Sequence, residues 1–491
     1  MDGAPLEHRP LAPNLWYAGE RVSDPTVHQA FAGSAATLAE LYDLQWANAD
    51  TCLYESPSSS RLVPRSFMQP KTREELEGVG RAMEVWARHT CGMLGRAPDY
   101  LNRALASFAA GAAFLAESDA RFGTNATRLY EYLREHDLSL THSLIPPQAN
   151  RAAGAAGQAD PFLAARIKSE TDAGIVIRGC RMLATLPIAD WIMVLPSTLL
   201  KSSVDDAPYA FGFIIPSDSA GLKFLCRESF DYGRTRFDHP FGSRFEELDA
   251  VVIFDDVLVP WENVLLLRDV DRCNLAYART GAVVNMAHQV VVKNVAKTEF
   301  LLGLAHLLVT TIGAEKFQHI HEKLTEIWVN LETMKAFLRV AEIDAALDEW
   351  GTMRPAWNPL DAARNLYPRL YPRMIEIVQQ IGASGLVAVP TEQDLKGPLA
   401  DDIKHYYQAA RADALERVPL FRLAWDAALS AFASRQVLYE RFFFGDPVRM
   451  AGAVVSNHET EIRVYAERVR ALVREMRDEA LGESDTRRGP L

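Results

Sequence analysis

The chain of 491 residues carries 52 lysines and arginines against 64 aspartates and glutamates, a formal net charge of −12, with 48% hydrophobic and 24% charged residues. Such a length buries a large core and divides into two or three domains or layers, and the acidic balance argues against nucleic acid or an anionic membrane surface as partner. Five scattered cysteines, Cys52, Cys91, Cys180, Cys226 and Cys273, form no CxxC pair and suit a reducing cytoplasm rather than a disulfide framework.

The first residues hold no apolar signal core and no later run approaches a membrane span, so the Asn125-Ala126-Thr127 sequon reads as chance. Residues 1–155 read as a mostly helical domain after an irregular lead. Thr72-Arg73-Glu74-Glu75 has the capping-box pattern, with Thr72 accepting from the backbone and Glu75 reaching back, and opens a helix toward His89. In CGMLGRAPDYLN, residues 91–102, Pro98 fits the first helical position, where its missing N–H costs nothing. Arg96 then stands just ahead of the helix and Tyr100 in its first turn. A guanidinium, a phenol and free backbone N–H groups can converge there on one anionic or phenolic oxygen, although the same residues also serve as a plain helix cap. In LTHSLIPPQANR, residues 140–151, Pro146 and Pro147 forbid helix and stiffen an extended path suited to lie along a ligand. RAAGAAGQAD, residues 151–160, reads as a linker.

Residues 156–268 change from helical to strand-like period. GIVIRG, DWIMVLPS, YAFGFIIP, LKFLCR and AVVIFDDVLVP are short β-rich runs divided by turn residues, which predicts a small antiparallel barrel or sandwich. Residues 269–491 read as long helices over 286–308, 322–347, 370–381, 400–443 and 459–476, punctuated by Pro390 and by Gly445-Asp446-Pro447. Helices that long must bury apolar faces on each other, most simply in a four-helix bundle, and their extent predicts self-association. The fold class is thus α+β, mainly α, in the order helical, β, helical.

Several chemistries are set aside. No GxGxxG follows a strand, no Walker A loop is present, and GASG at 382–385 lacks the spacing of a nucleophile elbow. His319 and His321, two apart on a helix, face different ways and make poor metal ligands. Polar clusters remain at three places: Arg96 with Tyr100; His142 with Gln148 and Arg151; and Thr185 with Ser197 and Thr198. Taken singly, His142 reads better as a structural histidine and the hydroxyl residues as turn formers.

GRAPDYLN, THSLIPPQANR, MLATLPIAD, FDHPFGSRFEELDAVVIFDDVLVPWENV, QQIGASGL and LFRLAWDAALSAFASRQVLYERFFFGDPVR together resemble the oxygenase component of the 4-hydroxyphenylacetate 3-monooxygenase family, in that family's order from about Asp24 to Met450. The resemblance implies the acyl-CoA dehydrogenase fold, usually as a homotetramer. It also implies FAD, delivered as FADH₂ by a separate NAD(P)H:flavin reductase, O₂ as co-substrate, and ortho-hydroxylation of a phenol through a flavin C4a-hydroperoxide. It assigns Arg96, Tyr100 and His142 to the phenol oxygen and the reacting end of the flavin. His142, Ser143, Gln148, Ala149, Asn150, Arg151 and Thr185 would contact FAD, and Phe444, Gly445, Asp446 and Pro447 would help close its site. Ser197 and Thr198 would hold the far end of the substrate, and His288 is a candidate phenol base or else a core histidine. Relatives act on free phenols or on tyrosyl groups tethered to a carrier protein, which leaves both open here.

Departures from the family pattern are Ala97 before the proline, a missing SLRDGR lead, and Arg244-Phe245-Glu246-Glu247 in place of RFDE. The alternatives within the fold are an acyl-CoA dehydrogenase, a 4-hydroxybutyryl-CoA dehydratase, or a non-catalytic flavin-binding protein. The dehydratase would need an iron–sulfur cluster, for which Cys91 is at best one ligand and Val295 stands where another is expected; no metal is expected.

Overall fold

Thr72 and Pro98 open their helices as their chemistry dictates. The Thr72 hydroxyl accepts from Glu75 N–H at 3.2 Å, at the start of the helix Arg73–His89, while the Glu75 carboxylate reaches one residue past the cap, to Lys71 N–H at 2.5 Å. Pro98 is the first residue of the helix Pro98–Ala110, and every side chain from Pro98 to Ala109 is buried, so this helix is enclosed rather than a surface cap. The structure is a computed structural model, which describes residues 13–147, 149–150, 152–196, 200, 204–442 and 445–482.

Two sheets form the middle layer. A six-stranded sheet runs in the order Glu20–Arg21, Leu15–Tyr17, Leu222–Cys226, Ala250–Pro260, Gly174–Ala184, Arg166–Thr171, and a four-stranded sheet in the order Val264–Leu267, Phe211–Pro216, Trp191–Val194, Leu140–Ser143. Their inner faces meet in one apolar core that includes Ile175, Ile177, Phe224, Val252 and Phe254 from the first and Ile192, Val194, Phe211 and Phe213 from the second. The sandwich is not purely antiparallel as expected. Leu15–Tyr17 pairs parallel with Leu222–Cys226, and Leu140–Ser143 parallel with Trp191–Val194, because these strands enter from the N-terminal layer rather than from a hairpin. The strand Leu140–Ser143 also ties the two sheets together: Thr141 Oγ1 donates to the Thr185 carbonyl at 2.6 Å and Ser143 Oγ to the Met182 carbonyl at 3.0 Å.

The C-terminal layer packs the helices Ala282–Ile312, Gln318–Ile343 and Trp357–Gly382 with Ala414–Ala428 and Ala431–Phe442 in a second core. The single helix expected over 400–443 is instead three, Ala400–Tyr406, Ala414–Ala428 and Ala431–Phe442, with Asp413 capping the second through Glu416 N–H at 2.9 Å. The expectation that no run approaches a membrane span needs correction. By length and composition Ala282–Ile312 is apolar enough to cross a membrane, and in this fold it is the bundle's central helix, with most of its side chains buried against its neighbours. Asn125 is buried too, and its Nδ2 donates to the carbonyls of Trp261 and Val264, both at 2.8 Å, so its side chain is committed inside the fold.

Candidate active site

The loop before Pro98 can approach its neighbours closely because two of its residues lack a Cβ. Gly92 sits at φ +66°, and a Cβ there would lie 2.6 Å from Lys297 Cβ and 2.7 Å from the Lys293 carbonyl; a Cβ on Gly95 would enter the Tyr439 ring. That approach sets Arg96 between the N-terminal layer, the sheets and the C-terminal helices. Its Nε donates to the Tyr439 hydroxyl at 3.2 Å, one terminal nitrogen lies against the His142 ring, on Nε2 and, at 3.2 Å, on Nδ1, and its Cζ stands 4.7 Å from the centre of the Tyr100 ring. Burial opposes the Arg96 charge, but the phenolic oxygens of Tyr100 and Tyr439 outweigh it and hold the guanidinium charged. Burial, followed by the Arg96 charge, pushes His142 well below the usual histidine range, so the imidazole is neutral. One fixed cation and one neutral ring, side by side, are what a phenolic oxygen needs to be polarised without a competing second charge.

Behind this pair is a buried ionic brace. Glu247 accepts from Arg96 N–H at 2.8 Å with one carboxylate oxygen and from Arg435 with the other; Arg435 also holds Asp249, Nη2 to Oδ1 at 2.6 Å and Nε to Oδ2 at 3.0 Å. Arg227 reaches the same Asp249 oxygen at 3.1 Å and also pairs with Glu246. Burial disfavours the Asp249 carboxylate, yet Arg435 and Arg227 hold it well below the usual range, and the two carboxylates in turn raise Arg435 despite its burial. Thr185 Oγ1 donates to Asp249 at 3.1 Å, so the hydroxyl expected to face a cofactor is anchored to this brace.

Arg96, Tyr100 and His142 are therefore brought together across three layers, with the Tyr100 and His142 rings 5.9 Å apart. Ser143 follows on the same strand, its hydroxyl turned to Met182. Ala149 and Asn150 are exposed just beyond it, on a ledge that begins with the exposed Ile145 and the half-buried Pro146 and Pro147. Gly445, Asp446 and Pro447 start the helix Pro447–Asn457, where Asp446 caps Val448 and Arg449 at 3.3 Å; no hydrogen bond joins them to Arg96 or His142 among the described residues. Gln148, Arg151, Ser197, Thr198 and Phe444 lie outside the described residues.

His288 does not join the group. Its neighbour Gln289 donates to Asp99 Oδ1 at 3.1 Å and so faces the Pro98 helix, and one residue earlier a helix has turned by about 100°. His288 is directed instead to Glu342, Nε2 to Oε1 at 2.9 Å, against Gly80, with no exposure to solvent. This placement fits the core-histidine reading. Sequence reasoning missed Tyr439, Glu247, Asp249 and Arg435 as members of the site. Their signal lay inside RFEELD and RQVLYERF, as charged and phenolic residues in otherwise apolar, helix-rich runs.

A family model described as the 4-hydroxyphenylacetate 3-hydroxylase N terminal matches residues 8–266, and one described as its C terminal matches residues 273–476. Over 472 residues the chain is 49% identical to the 4-hydroxyphenylacetate 3-monooxygenase oxygenase component of Thermus thermophilus, spanning 96% of both chains. It is 31% identical, over 90% of its length and 84% of the relative's, to a Streptomyces globisporus monooxygenase of (3S)-3-amino-3-(3-chloro-4-hydroxyphenyl)propanoyl-[peptidyl-carrier protein]. A crystal structure of the oxygenase component of 4-hydroxyphenylacetate 3-monooxygenase complexed with FAD and 4-hydroxyphenylacetate superposes with a TM-score of 0.89 at 49% identity, covering 94% of this chain and 96% of that one. An archaeal 4-hydroxybutyryl-CoA dehydratase shares the fold, TM-score 0.83, at 19% identity over 98% of this chain and 94% of the other.

Proposed function

The chain belongs to the 4-hydroxyphenylacetate 3-hydroxylase family, and on that premise we propose that it is the oxygenase component of a two-component monooxygenase that hydroxylates a phenol ortho to its hydroxyl, using FADH₂ and O₂. The observation that carries the reading is the half-buried Arg96 guanidinium, held charged between Tyr439 and Tyr100 and in contact with a neutral His142.

Bound reduced FAD supplies the activation of O₂ to an electrophilic oxygen. The ledge of Ile145, Pro146, Pro147, Ala149 and Asn150 fits such a group: its apolar prolines and isoleucine can lie under a flat ring, and the exposed Asn150 amide offers a donor and an acceptor at its rim. His142, Ser143, Ala149, Asn150 and Thr185 are the described residues assigned to holding it, with Gly445, Asp446 and Pro447 assigned to closing the outer side. The family likeness alone supports Gln148, Arg151 and Phe444 in the same roles, and Ser197 and Thr198 at the far end of the substrate.

This chain's own residues act on the phenol. Arg96 receives the phenolic oxygen and favours negative charge on it, which raises electron density at the ortho carbon that must attack. His142, being neutral, serves as a hydrogen-bond partner rather than as a second cation, and the Tyr100 ring packs beside the guanidinium and restricts its rotation. A preorganised partner of this kind contributes on the order of 10²–10³ in rate. The substrate class proposed is a small free phenol, supported by 49% and 47% identity to enzymes named for 4-hydroxyphenylacetate against 31% to the carrier-dependent one. FADH₂ would come by diffusion from a separate reductase in the cytoplasm. Homotetramer formation is supported by the helix Glu459–Ala480, which has no buried residue and exposes Ile462, Tyr465, Val469, Leu472, Val473 and Met476 at three- and four-residue spacing.

The test supplies purified protein with FADH₂, O₂ and either free 4-hydroxyphenylacetate or a carrier-bound tyrosyl group. Catechol formed from the free phenol in step with FADH₂ consumption is expected. FADH₂ oxidation that yields no catechol from any phenol sinks the reading, and product from the carrier-bound substrate alone reassigns the substrate class.

A further inference from the structure

Arg181, on the strand Gly174–Ala184, stands opposite Val252 of the neighbouring strand, whose side chain belongs to the core between the two sheets. Its own residue is enclosed, at 2% exposure. Nη1 donates to the Leu144 carbonyl at 2.9 Å, and Cζ stands 5.2 Å from the centre of the Phe211 ring. Nε and Nη2 are buried with no hydrogen-bond partner among the described residues, and no carboxylate pairs with Arg181 there. Arg103, buried to the same depth, shows the ordinary solution: its Nη1 donates to the carbonyls of Ser66 and Met68 and its Nη2 to Asn285 Oδ1.

A guanidinium that gives up water without an anion or a full set of acceptors is costly to bury. Burial pulls Arg181 down to about 10, which leaves it charged at neutral pH. The ionisable groups that bear on it, the Cys273 and Cys180 thiols, are pushed above the usual thiol range by their own burial and carry no compensating charge. The helix Val270–Arg279 relates this cation to the Arg96 group. Tyr277, near its far end, lies under the fields of Tyr100 and Arg96, and Cys273, beside Arg181, comes four residues earlier, a rise of roughly 6 Å. That is close to the reach from a phenolic oxygen to a charged group on a short para side chain. Leu195 and Leu200, which bracket Ser197 and Thr198 in the sequence, are tied to residues next to Leu144 and Cys273: Leu195 N–H donates to the Ser143 carbonyl at 3.4 Å, and the Leu200 carbonyl accepts from Asn274 Nδ2 at 2.9 Å.

We propose that Arg181 is the cationic anchor for the far end of the substrate, so that the phenol taken by this chain carries a carboxylate on a short para side chain. A carboxylate can accept from Nε and Nη2 in parallel, the side-on pairing that a planar guanidinium favours, while Nη1 keeps its bond to Leu144. Two cations then grip the molecule, Arg96 at the hydroxyl and Arg181 at the acid, and the ring between them is held in one register. A phenol tethered to a carrier protein presents a neutral thioester at that end and leaves Arg181 without its anion. The proposal rests on the phenol reading above and narrows its substrate to a free acid.

The experiment compares 4-hydroxyphenylacetate with its neutral amide, 4-hydroxyphenylacetamide, as substrates of the protein supplied with FADH₂ and O₂, and measures the catechol formed from each. Wild type should favour the acid roughly ten- to hundredfold in kcat/KM, mostly through KM, and Arg181→Met should erase that preference while Arg181→Lys keeps part of it. Arg181→Gln, which can still donate to the Leu144 carbonyl but has no charge, should lose the preference too and serves as the second variant should Arg181→Met fail to fold. Equal or better use of the amide by wild type overturns the proposal. So does a preference in Arg181→Met or Arg181→Gln equal to that of wild type, or a loss confined to FAD affinity, which assigns Arg181 to the flavin instead. A wild-type protein that forms catechol from neither compound overturns the phenol reading and this inference with it.

Discussion

The two sides of the site are built on opposite principles. On the Arg96 side the polar groups are buried or half-buried and cross-braced: Glu247 ties the Arg96 backbone to Arg435, Arg435 ties Asp249, and Asp249 ties Thr185. On the other side, Ala149 and Asn150 stand exposed on a ledge, and Asp446 caps its own helix on the surface. The braced side must keep a charge in one orientation before any ligand arrives. The open side, if it is where flavin enters as proposed above, would have to admit a large flat group and so would not be rigidly pre-closed.

Four substitutions test that contrast. The largest effect is expected for Glu247→Ala, which deprives Arg435 and the Arg96 N–H of a buried carboxylate and should cost about 3–5 kcal/mol of stability in chemical denaturation. A loss no larger than that of a surface substitution would show that the brace is ornamental. Next, Arg96→Ala should lower kcat/KM for the phenol by on the order of 10²–10³ with FAD affinity nearly unchanged; a loss confined to FAD binding would assign Arg96 to the open side. A smaller effect is expected from acid. Because burial keeps His142 neutral in the fold, the unfolded chain takes up a proton below about pH 6.5 that the native one refuses, so native stability falls as the pH drops through that value. His142→Gln should remove roughly 1 kcal/mol of that loss per pH unit, read as the difference in urea midpoints at two acid pH values. The smallest effect is expected at the ledge: Asn150→Ala should weaken FADH₂ binding by roughly two- to tenfold and leave the melting temperature alone.

What could be read in advance follows from the range of the interactions. Pro98 at a helix start, the Thr72 cap, the strand-like runs and the long apolar helices are local, so composition and spacing disclosed them. Arg96, Tyr100 and His142 emerged because they sit in motifs shared with a family. Tyr439, 343 positions from Arg96, and Glu247, 151 positions away, carry no local mark, because nothing in RQVLYERF or RFEELD says which layer it will face. The parallel pairing of Leu140–Ser143 with Trp191–Val194 was hidden for the same reason, since an isolated four-residue strand fits either orientation. His288 shows the same limit: its type fits a base or a core residue, and only its helical phase directs it to Glu342.

The hydrogen bond from Arg96 to Tyr439 spans 343 residues, and Glu247 and Arg435 close the same circuit from other parts of the chain. A ribosome must therefore have delivered the helix Ala431–Phe442 before the Arg96–Tyr439 contact exists at all. A nascent or clipped chain that ends earlier lacks Tyr439 and Arg435. The cluster around Arg96 is thus complete only after most of the polypeptide has been made.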